Sequence, residues 1–259
     1  MRHARTGAGG QVLLVTLDNP RRANAYTTPM LVQLRSLLAD ARSAAESRAK
    51  APAPPGRAAT QSVAESRSIA AAVITGSAGY FCAGADLDEL AARGAEDAFA
   101  LLSREVFDLL ADAPWPTIAA IDGAAVAGGL ELALACDLRV CSARSVFRFP
   151  EVELGLVPAA GGVRRLVAEV GLARAREVIL FGRTLDAQAA LQWGLVAHVV
   201  DDPLPHAVGL AETAAQRDPV CLTVAKLLLQ ERAGASPGRG AEAIAQALLY
   251  GRRNRGRDA

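Results

Sequence analysis

Metal-binding and disulfide-forming residues are scarce in this sequence. Its 259 residues include four cysteines and three histidines. No two cysteines form a CxxC pair, so the sequence predicts no zinc or other metal site, and the cysteines are typical of reduced thiols in a cytosol. Cys82 lies in a turn of small residues, but no histidine is near it in sequence. A buried, inert thiol is therefore favoured over a nucleophile.

Excess charge and long apolar runs are also lacking. The formal net charge is +1, which gives no electrostatic reason to expect nucleic acid as a partner. No stretch of about 18 apolar residues is present, so no membrane span is predicted. Residues 1–10 are polar and rich in glycine, without the apolar centre of a secretion signal. We therefore expect a cytoplasmic protein that binds neither nucleic acid nor a membrane.

Apolar residues make up 51% of the chain and charged residues 21%, which is typical of a globular protein with a large core. Apolar, β-branched runs predict strands at residues 11–17, 69–75, 117–121 and 138–141. The second and third of these run into turns of small residues that open helices, which predicts an α/β architecture. These turns match neither a phosphate-binding loop nor a dinucleotide fingerprint, and no GxSxG nucleophile elbow is present.

The turn within residues 121–137 is the centre of the functional prediction. Gly128 and Gly129 open a helix there, and free N–H groups at a helix start attract negative charge. Glu131 follows three residues into that start, so the turn offers donors for an oxyanion beside a group that can move a proton. The residues alone explain Glu131 equally well as an acid stabilised by the helix dipole. Glu151, taken alone, is explained as a loop carboxylate.

Residues 48–66 are rich in alanine and proline and predict a mobile insertion, because repeated prolines exclude both helix and strand. Asp86 and Asp137 are typical of capping or turn residues. Glu153, in an acidic loop, is interpreted as a surface charge. From residue 203 onward the pattern is helical.

Several motifs in order resemble those of the enoyl-CoA hydratase/isomerase, or crotonase, superfamily. They are residues 19–25, 81–87, 118–137, 149–158 with Gly161 and Gly162, and 182–200. The resemblance covers roughly residues 11–230. It implies an α/β fold in which a spiral of ββα units forms residues 1–200 and a helical, shortened C-terminal region forms residues 201–259. It also implies a homotrimer, or a hexamer built as a dimer of trimers.

The resemblance further implies an acyl-CoA thioester substrate and no cofactor, since coenzyme A is part of the substrate. By position in the motifs, the N–H groups of Ala85 and Gly128 would form an oxyanion hole. The residues expected to line the coenzyme A channel are Arg21, Ala23, Ala83, Asp86 and Leu87. Hydratases of the family are similar to this sequence in having both Glu131 and Glu151, which predicts hydration of a trans-2-enoyl-CoA with Glu131 as base and Glu151 as acid.

Three departures from the family pattern bear on this prediction. The Pro-rich stretch is longer than usual, Asp122 stands where asparagine is common, and the usual acidic-glycine segment and terminal helix are lacking after residue 245. Two other functions are carried as alternatives. One is another acyl-CoA reaction on the same fold, such as isomerisation, decarboxylation or dehydration of a hydroxyacyl-CoA. The other is a non-catalytic subunit that binds acyl-CoA.

Overall fold

The apolar runs of the sequence form the central strands of the fold. The computed structural model describes residues 1–7, 9–50, 69–92 and 101–230, and the single positions 94, 97, 246 and 248. Its strands are Arg2–Thr6 (β1), Val12–Leu17 (β2), Ala71–Gly76 (β3), Thr117–Ile121 (β4), Ala124–Val126 (β5), Leu138–Cys141 (β6), Val146–Arg148 (β7), Leu185–Asp186 (β8) and His198–Val199 (β9).

Helices follow or cover these strands. They are Thr28–Lys50 (α1), Leu87–Ala91 (α2), Leu102–Ala111 (α3), Gly128–Leu134 (α4), Gly162–Val170 (α5), Leu172–Leu180 (α6), Ala187–Trp193 (α7), Pro203–Ala215 (α8) and Pro219–Gln230 (α9). Short 3-10 turns at Pro20–Arg22 and Glu151–Leu154 add to them. None of the helices in the described ranges combines the length and apolar character that a bilayer crossing requires.

Within the described residues, two sheets form the frame. The larger has the strand order β1-β2-β3-β4-β6-β9, and the smaller has the order β5-β7-β8. From β2 to β9 the larger sheet is parallel, and β1 joins its edge antiparallel to β2. The carboxyl ends of parallel strands lie at one edge, so the turns that follow β2, β3 and β4 meet there. The α/β prediction is confirmed.

Both faces of the central strands are covered, which explains why these strands are continuous apolar runs rather than alternating ones. All five residues of β4 are buried. On one face, Val73 and Ile118 share a core cluster with Ala207 and Ala211 of α8. On the other, helices α1, α3 and α4 contribute to a larger cluster whose members include Leu34, Phe107 and Leu130.

The predicted start of the Pro-rich insertion is wrong. Residues 48–50 continue helix α1, because alanine, arginine and lysine favour helix and no proline occurs between Pro29, in its first turn, and Pro52. Residues 51–66 of the insertion lie outside the described residues. Strand β1 is also absent from the prediction, since residues 2–6 are polar and form an exposed edge.

The predicted C-terminal region begins with helices α8 and α9. Lys226 of α9 is buried, and its ammonium donates to the Asp137 carboxylate at 2.8 Å and to the Trp115 carbonyl at 3.1 Å. These contacts attach α9 to the residues just before β4 and β6 of the larger sheet. The division into a core of residues 1–200 and a helical region of residues 201–259 stays a prediction, and most positions after 230 lie outside the described residues.

Candidate active site

The turn after β3 places the Ala85 N–H in a fixed direction. Tyr26 pairs with Ala85 in a short parallel bridge. The Tyr26 N–H donates to the Gly84 carbonyl at 2.8 Å, and the Asp86 N–H donates to the Tyr26 carbonyl at 2.9 Å. The residue between two such bonds directs its own N–H away from the partner strand. In the described part of the chain, no acceptor takes the Ala85 N–H.

Gly128 brings a second donor from the turn before α4. As the first residue of that helix it has no intrahelical acceptor for its N–H, and the described residues provide none either. The two turns touch: a Cβ built on Gly84 would lie 3.2 Å from the Gly128 nitrogen. A bridge between Cys82 and Ala125 fixes them to each other. Two unpaired N–H groups from different turns therefore lie close together, as an oxyanion hole requires.

Glycine is required where these turns pack. A Cβ on Gly128 would lie 2.2 Å from the Tyr26 hydroxyl, and one on Gly129 would lie 2.1 Å from the Cys82 carbonyl oxygen. Ala127, just before them, has φ of 51°, a left-handed conformation that costs a non-glycine residue free energy. The backbone here is held in a strained shape that presents N–H groups to the site.

Glu131 projects from α4 and is 4% exposed. Its Oε1 accepts two hydrogen bonds, from the Ala160 and Gly162 N–H groups, both at 2.8 Å. Burial raises the pKa of Glu131 above its usual value, and these two donors and the positive charge of Arg165 limit the increase. Donors that satisfy the ionised form favour that form, so Glu131 is equipped to act as a proton acceptor.

Glu151 opens the 3-10 turn after β7 and is 8% exposed. Its Oε2 is buried, and none of the described residues offers it a hydrogen-bond partner. Burial raises the pKa of Glu151 to about 7, and the negative charge of Glu131 adds to the increase. Two buried carboxylates thus differ in how readily they ionise, which is the usual arrangement of a general acid and a general base.

The residues predicted to line the coenzyme A channel lie around the turns after β2 and β3. The Ala83 N–H donates to the Ala23 carbonyl at 3.0 Å, which places these two residues together. Arg21, in the Pro20–Arg22 turn, and Leu87, at the start of α2, are exposed. Their contacts with coenzyme A stay predictions.

Asp86 caps helix α2, as the sequence analysis predicts. Its buried carboxylate accepts the Asp88 N–H at 3.0 Å and the Glu89 N–H at 3.5 Å, capping α2. Arg22 lies 3.3 Å from the same carboxylate. These contacts support the capping interpretation of Asp86, and its contact with coenzyme A stays a prediction.

Asn24 is a site-building residue that the sequence analysis missed. It is fully buried, and its Nδ2 donates to the Ser77 and Tyr80 carbonyls at 2.8 Å each. Its Oδ1 accepts the Asn19 N–H at 2.9 Å. Asn24 thus ties the turn after β2 to the turn that carries Ala85. Asn24 has a φ of 58°, a conformation that asparagine adopts more readily than most residues. An asparagine within a turn is therefore the signal that could have identified it.

Metal chemistry has no support among the described side chains, where no group of three or more histidine, cysteine, aspartate or glutamate residues is arranged to hold a metal ion. The thiol of Cys82 is fully buried, and burial raises its pKa to about 12. A thiol in that state is protonated at neutral pH and is not a nucleophile.

Comparisons with known proteins identify the family of this chain. A family model described as enoyl-CoA hydratase/isomerase matches residues 57–249. The 2,3-dehydroadipyl-CoA hydratase of Escherichia coli (strain K12) is 35% identical over 223 residues, which are 85% of this chain and 79% of that protein. The mitochondrial methylglutaconyl-CoA hydratase of Rattus norvegicus is 42% identical over 161 residues, 59% of this chain and 51% of that protein.

A solved structure extends the likeness to the fold. The enoyl-CoA hydratase of Bacillus anthracis superposes with a TM-score of 0.78 at 29% sequence identity, covering 92% of this chain and 86% of that one. The crotonase fold predicted from the resemblance is confirmed. The chain belongs to the enoyl-CoA hydratase/isomerase family.

Proposed function

We propose that the protein hydrates a trans-2-enoyl-CoA to the 3-hydroxyacyl-CoA. The observation that carries this proposal is the pair of buried glutamates in opposite surroundings, Glu131 with two N–H donors and Glu151 with an unpaired oxygen. An enzyme that adds water needs one group to take a proton and another to give one. The names of both relatives above, which are hydratases of acyl-CoA thioesters, support the same reaction.

In the proposed mechanism, the thioester carbonyl oxygen binds between the N–H groups of Ala85 and Gly128. Glu131 takes a proton from a water molecule while the water oxygen forms its bond to Cβ. The electron pair of the Cα–Cβ double bond moves toward the carbonyl, and the oxyanion that develops is held by the two N–H donors. An oxyanion-hole donor is typically worth about 3 kcal/mol, because it binds the transition state more strongly than the substrate.

Glu151 completes the reaction by giving its proton to Cα as the enolate collapses. Its raised pKa keeps a large share of the carboxyl protonated near neutral pH. The products are a 3-hydroxyacyl-CoA, a protonated Glu131 and an ionised Glu151, and proton exchange with solvent restores the starting state. No resident cofactor takes part in this scheme.

We further propose that coenzyme A lies along Arg21, Ala23, Ala83, Asp86 and Leu87, and that the protein assembles as a trimer or as a dimer of trimers. Exposed apolar side chains support subunit contacts, since large apolar patches on a surface mark interaction sites. Those between the Glu151 turn and the end of α6 include Leu154, Val157, Leu172, Leu180 and Phe181, of which Phe181 is 82% exposed.

A panel of enoyl-CoA thioesters tests the proposed function. The panel includes straight-chain acyl groups and one with a terminal carboxylate. Loss of the enoyl-thioester absorbance with formation of the 3-hydroxyacyl product is the expected result. Double-bond migration or loss of carbon dioxide would assign another reaction of the family. Binding without turnover for every chain length would instead support a non-catalytic acyl-CoA-binding subunit.

A further inference from the structure

Arg165 lies near Glu131, in the helix whose first residue, Gly162, donates to the Glu131 carboxylate. It belongs to the first half of α5 and is 9% exposed. Its Nη1 donates to the Ala160 carbonyl at 3.0 Å, and its Nη2 donates to the Phe107 carbonyl at 3.4 Å and to the Asp108 carboxylate. The guanidinium therefore joins helix α3 to the loop that precedes α5.

That loop is the one that binds Glu131. The Ala160 carbonyl held by Arg165 belongs to the peptide unit between the two units whose N–H groups donate to Glu131 Oε1. Because a peptide unit is planar, fixing the middle one restricts how both of its neighbours can turn. Arg165 thus fixes the two donors from behind without touching the carboxylate itself.

Packing leaves this loop no room to shift. Gly161 has φ of 97°, and a Cβ there would lie 2.4 Å from Arg165 Nη1. On the other side, a Cβ on Gly162 would lie 2.7 Å from Glu131 Cγ and 2.8 Å from its Oε1. Gly161 therefore packs against the guanidinium of Arg165, and Gly162 packs against the side chain of Glu131.

Charged side chains also surround Glu131. Arg165 of α5 is its cationic neighbour, Asp108 of α3 lies behind that arginine, and Glu151 is its anionic neighbour across the site. The positive charge of Arg165 lowers the pKa of Glu131, which opposes the increase caused by burial. Removing that charge leaves burial opposed only by the two N–H donors, so the protonated acid is favoured more than in the wild type.

We propose that Arg165 is a positioning residue for Glu131: it holds the loop of residues 160–162 so that both N–H groups bind Oε1 and Oε2 is directed to the reacting water. This inference rests on the proposed hydratase function. Its effect is in part geometric, because a planar guanidinium donates to Ala160 and Asp108 at fixed angles, and in part electrostatic.

Arg164 provides a matched control in the adjacent position. Its guanidinium pairs with the same Asp108 oxygen, but its side chain is 62% exposed, and none of the hydrogen bonds of the described residues joins it to the loop of residues 160–162. Arg164→Met removes the same charge and the same kind of ion pair as Arg165→Met. An effect that comes from the loop of residues 160–162 should therefore appear with Arg165→Met and not with Arg164→Met.

The experiment compares Arg165→Met, Arg165→Lys and Arg164→Met in the full chain, with crotonyl-CoA as substrate. We expect Arg165→Met to lower kcat about 100-fold, the loss that misplacing a reacting group can cause, while KM changes by less than about threefold. The acidic limb of the pH profile of kcat/KM should move to higher pH. Arg165→Lys keeps the charge, so its acidic limb should lie close to the pH of the wild-type limb, whereas its kcat should stay close to that of Arg165→Met. Arg164→Met should match the wild type.

A second measurement separates this inference from the proposed function. Titration of Glu131 by carboxyl ¹³C NMR, assigned with Glu131→Gln, reports its pKa without turnover. An increase in Arg165→Met but not in Arg164→Met supports the positioning role even if the wild type hydrates nothing on the panel. An unchanged Glu131 pKa together with an unchanged pH limb would overturn it, whatever happens to the melting temperature. If Arg165→Met does not fold, Arg165→Lys decides, since unchanged kcat in that variant contradicts the geometric role.

Discussion

Glu131 and Glu151 are the same residue type and are buried to a similar degree, at 4% and 8% exposure, yet their carboxylates have opposite surroundings. Glu131 Oε1 faces two backbone N–H donors at 2.8 Å, with Arg165 behind them. Glu151 Oε2 is enclosed without a hydrogen-bond partner among the described residues. Burial alone would raise both pKa values in the same way, so the donors make the difference.

The two environments arise from different local structures. Glu131 leaves an apolar helix and reaches the start of α5, where N–H groups have no intrahelical acceptor. Glu151 begins a 3-10 turn whose backbone is occupied by its own bonds, among them the Leu156 N–H to the Glu151 carbonyl at 2.9 Å. One helix start thus stabilises the ionised form of Glu131, and one tight turn leaves Glu151 Oε2 without a hydrogen-bond partner among the described residues. Four predictions test this contrast.

The largest effect is expected from Glu131→Gln and Glu151→Gln. Proton transfer by a positioned side chain contributes about 100- to 10,000-fold to a rate, so each variant should lose about 1,000-fold in kcat with crotonyl-CoA. Acyl-CoA binding, measured by calorimetry with a saturated analogue, should stay close to the wild type because both amides fill the same space. If either variant hydrated crotonyl-CoA at near wild-type rate, the two-carboxylate mechanism would be wrong.

Gly162→Ala and Gly155→Ala form a second pair, one beside each glutamate. A Cβ on Gly162 would lie 2.7 Å from Glu131 Cγ and 2.9 Å from Phe149 Cζ, whereas one on Gly155 would meet nothing within 4 Å. We expect Gly162→Ala to lower kcat about 100-fold by displacing Glu131. Gly155→Ala should cost about 1 kcal/mol of stability, since its φ is 71°. If both variants lost kcat equally, displacement of Glu131 would not explain the loss, and the contrast between the surroundings of the two glutamates would be contradicted.

The dependence of stability on pH gives a third test. The pKa of Glu151 rises from 4.5 to about 7 in the fold. A group whose pKa is raised on folding contributes stability that is present below the unfolded value and is lost as the pH rises through the folded value. Relative to Glu151→Gln, the wild type should therefore lose about 1–3 kcal/mol of unfolding free energy between pH 4.5 and pH 8. Urea unfolding of both proteins measures this, and a pH-independent difference would refute the raised pKa.

The sequence predicts the elements that local patterns determine. Strands β4 and β6 have the predicted bounds, and β3 ends at the turn that carries Ala85. The short strand β5 lies between β4 and Gly128, where the sequence predicts a turn. Strand β1 escapes prediction because its residues face solvent and their polarity resembles that of a loop. Local pattern also identifies Gly128 and Gly129 as a helix start and Asp86 as a cap.

Contacts between distant segments are what the sequence does not show. The donors to Glu131 come from residues 29 and 31 positions further along the chain. Arg165 and Asp108 are 57 positions apart. No periodicity or motif indicates which N–H group will face which carboxylate, because that depends on how α4 and α5 pack. The pairing of Ala85 with Gly128 came from the family resemblance, not from the residues themselves.

The smallest effect is expected from Glu153→Gln. Glu153 lies in the same 3-10 turn as Glu151, but its side chain is 50% exposed and pairs with Arg148 at 2.5 Å. An exposed ion pair contributes less than about 1 kcal/mol, so unfolding free energy should change by no more than that and kcat by less than about twofold. Because Glu151 and Glu153 differ in burial and in partner but not in residue type, this variant isolates the environment as the cause. A loss in kcat comparable to that of Glu151→Gln would mean that the turn as a whole, and not the buried carboxylate, supports the reaction.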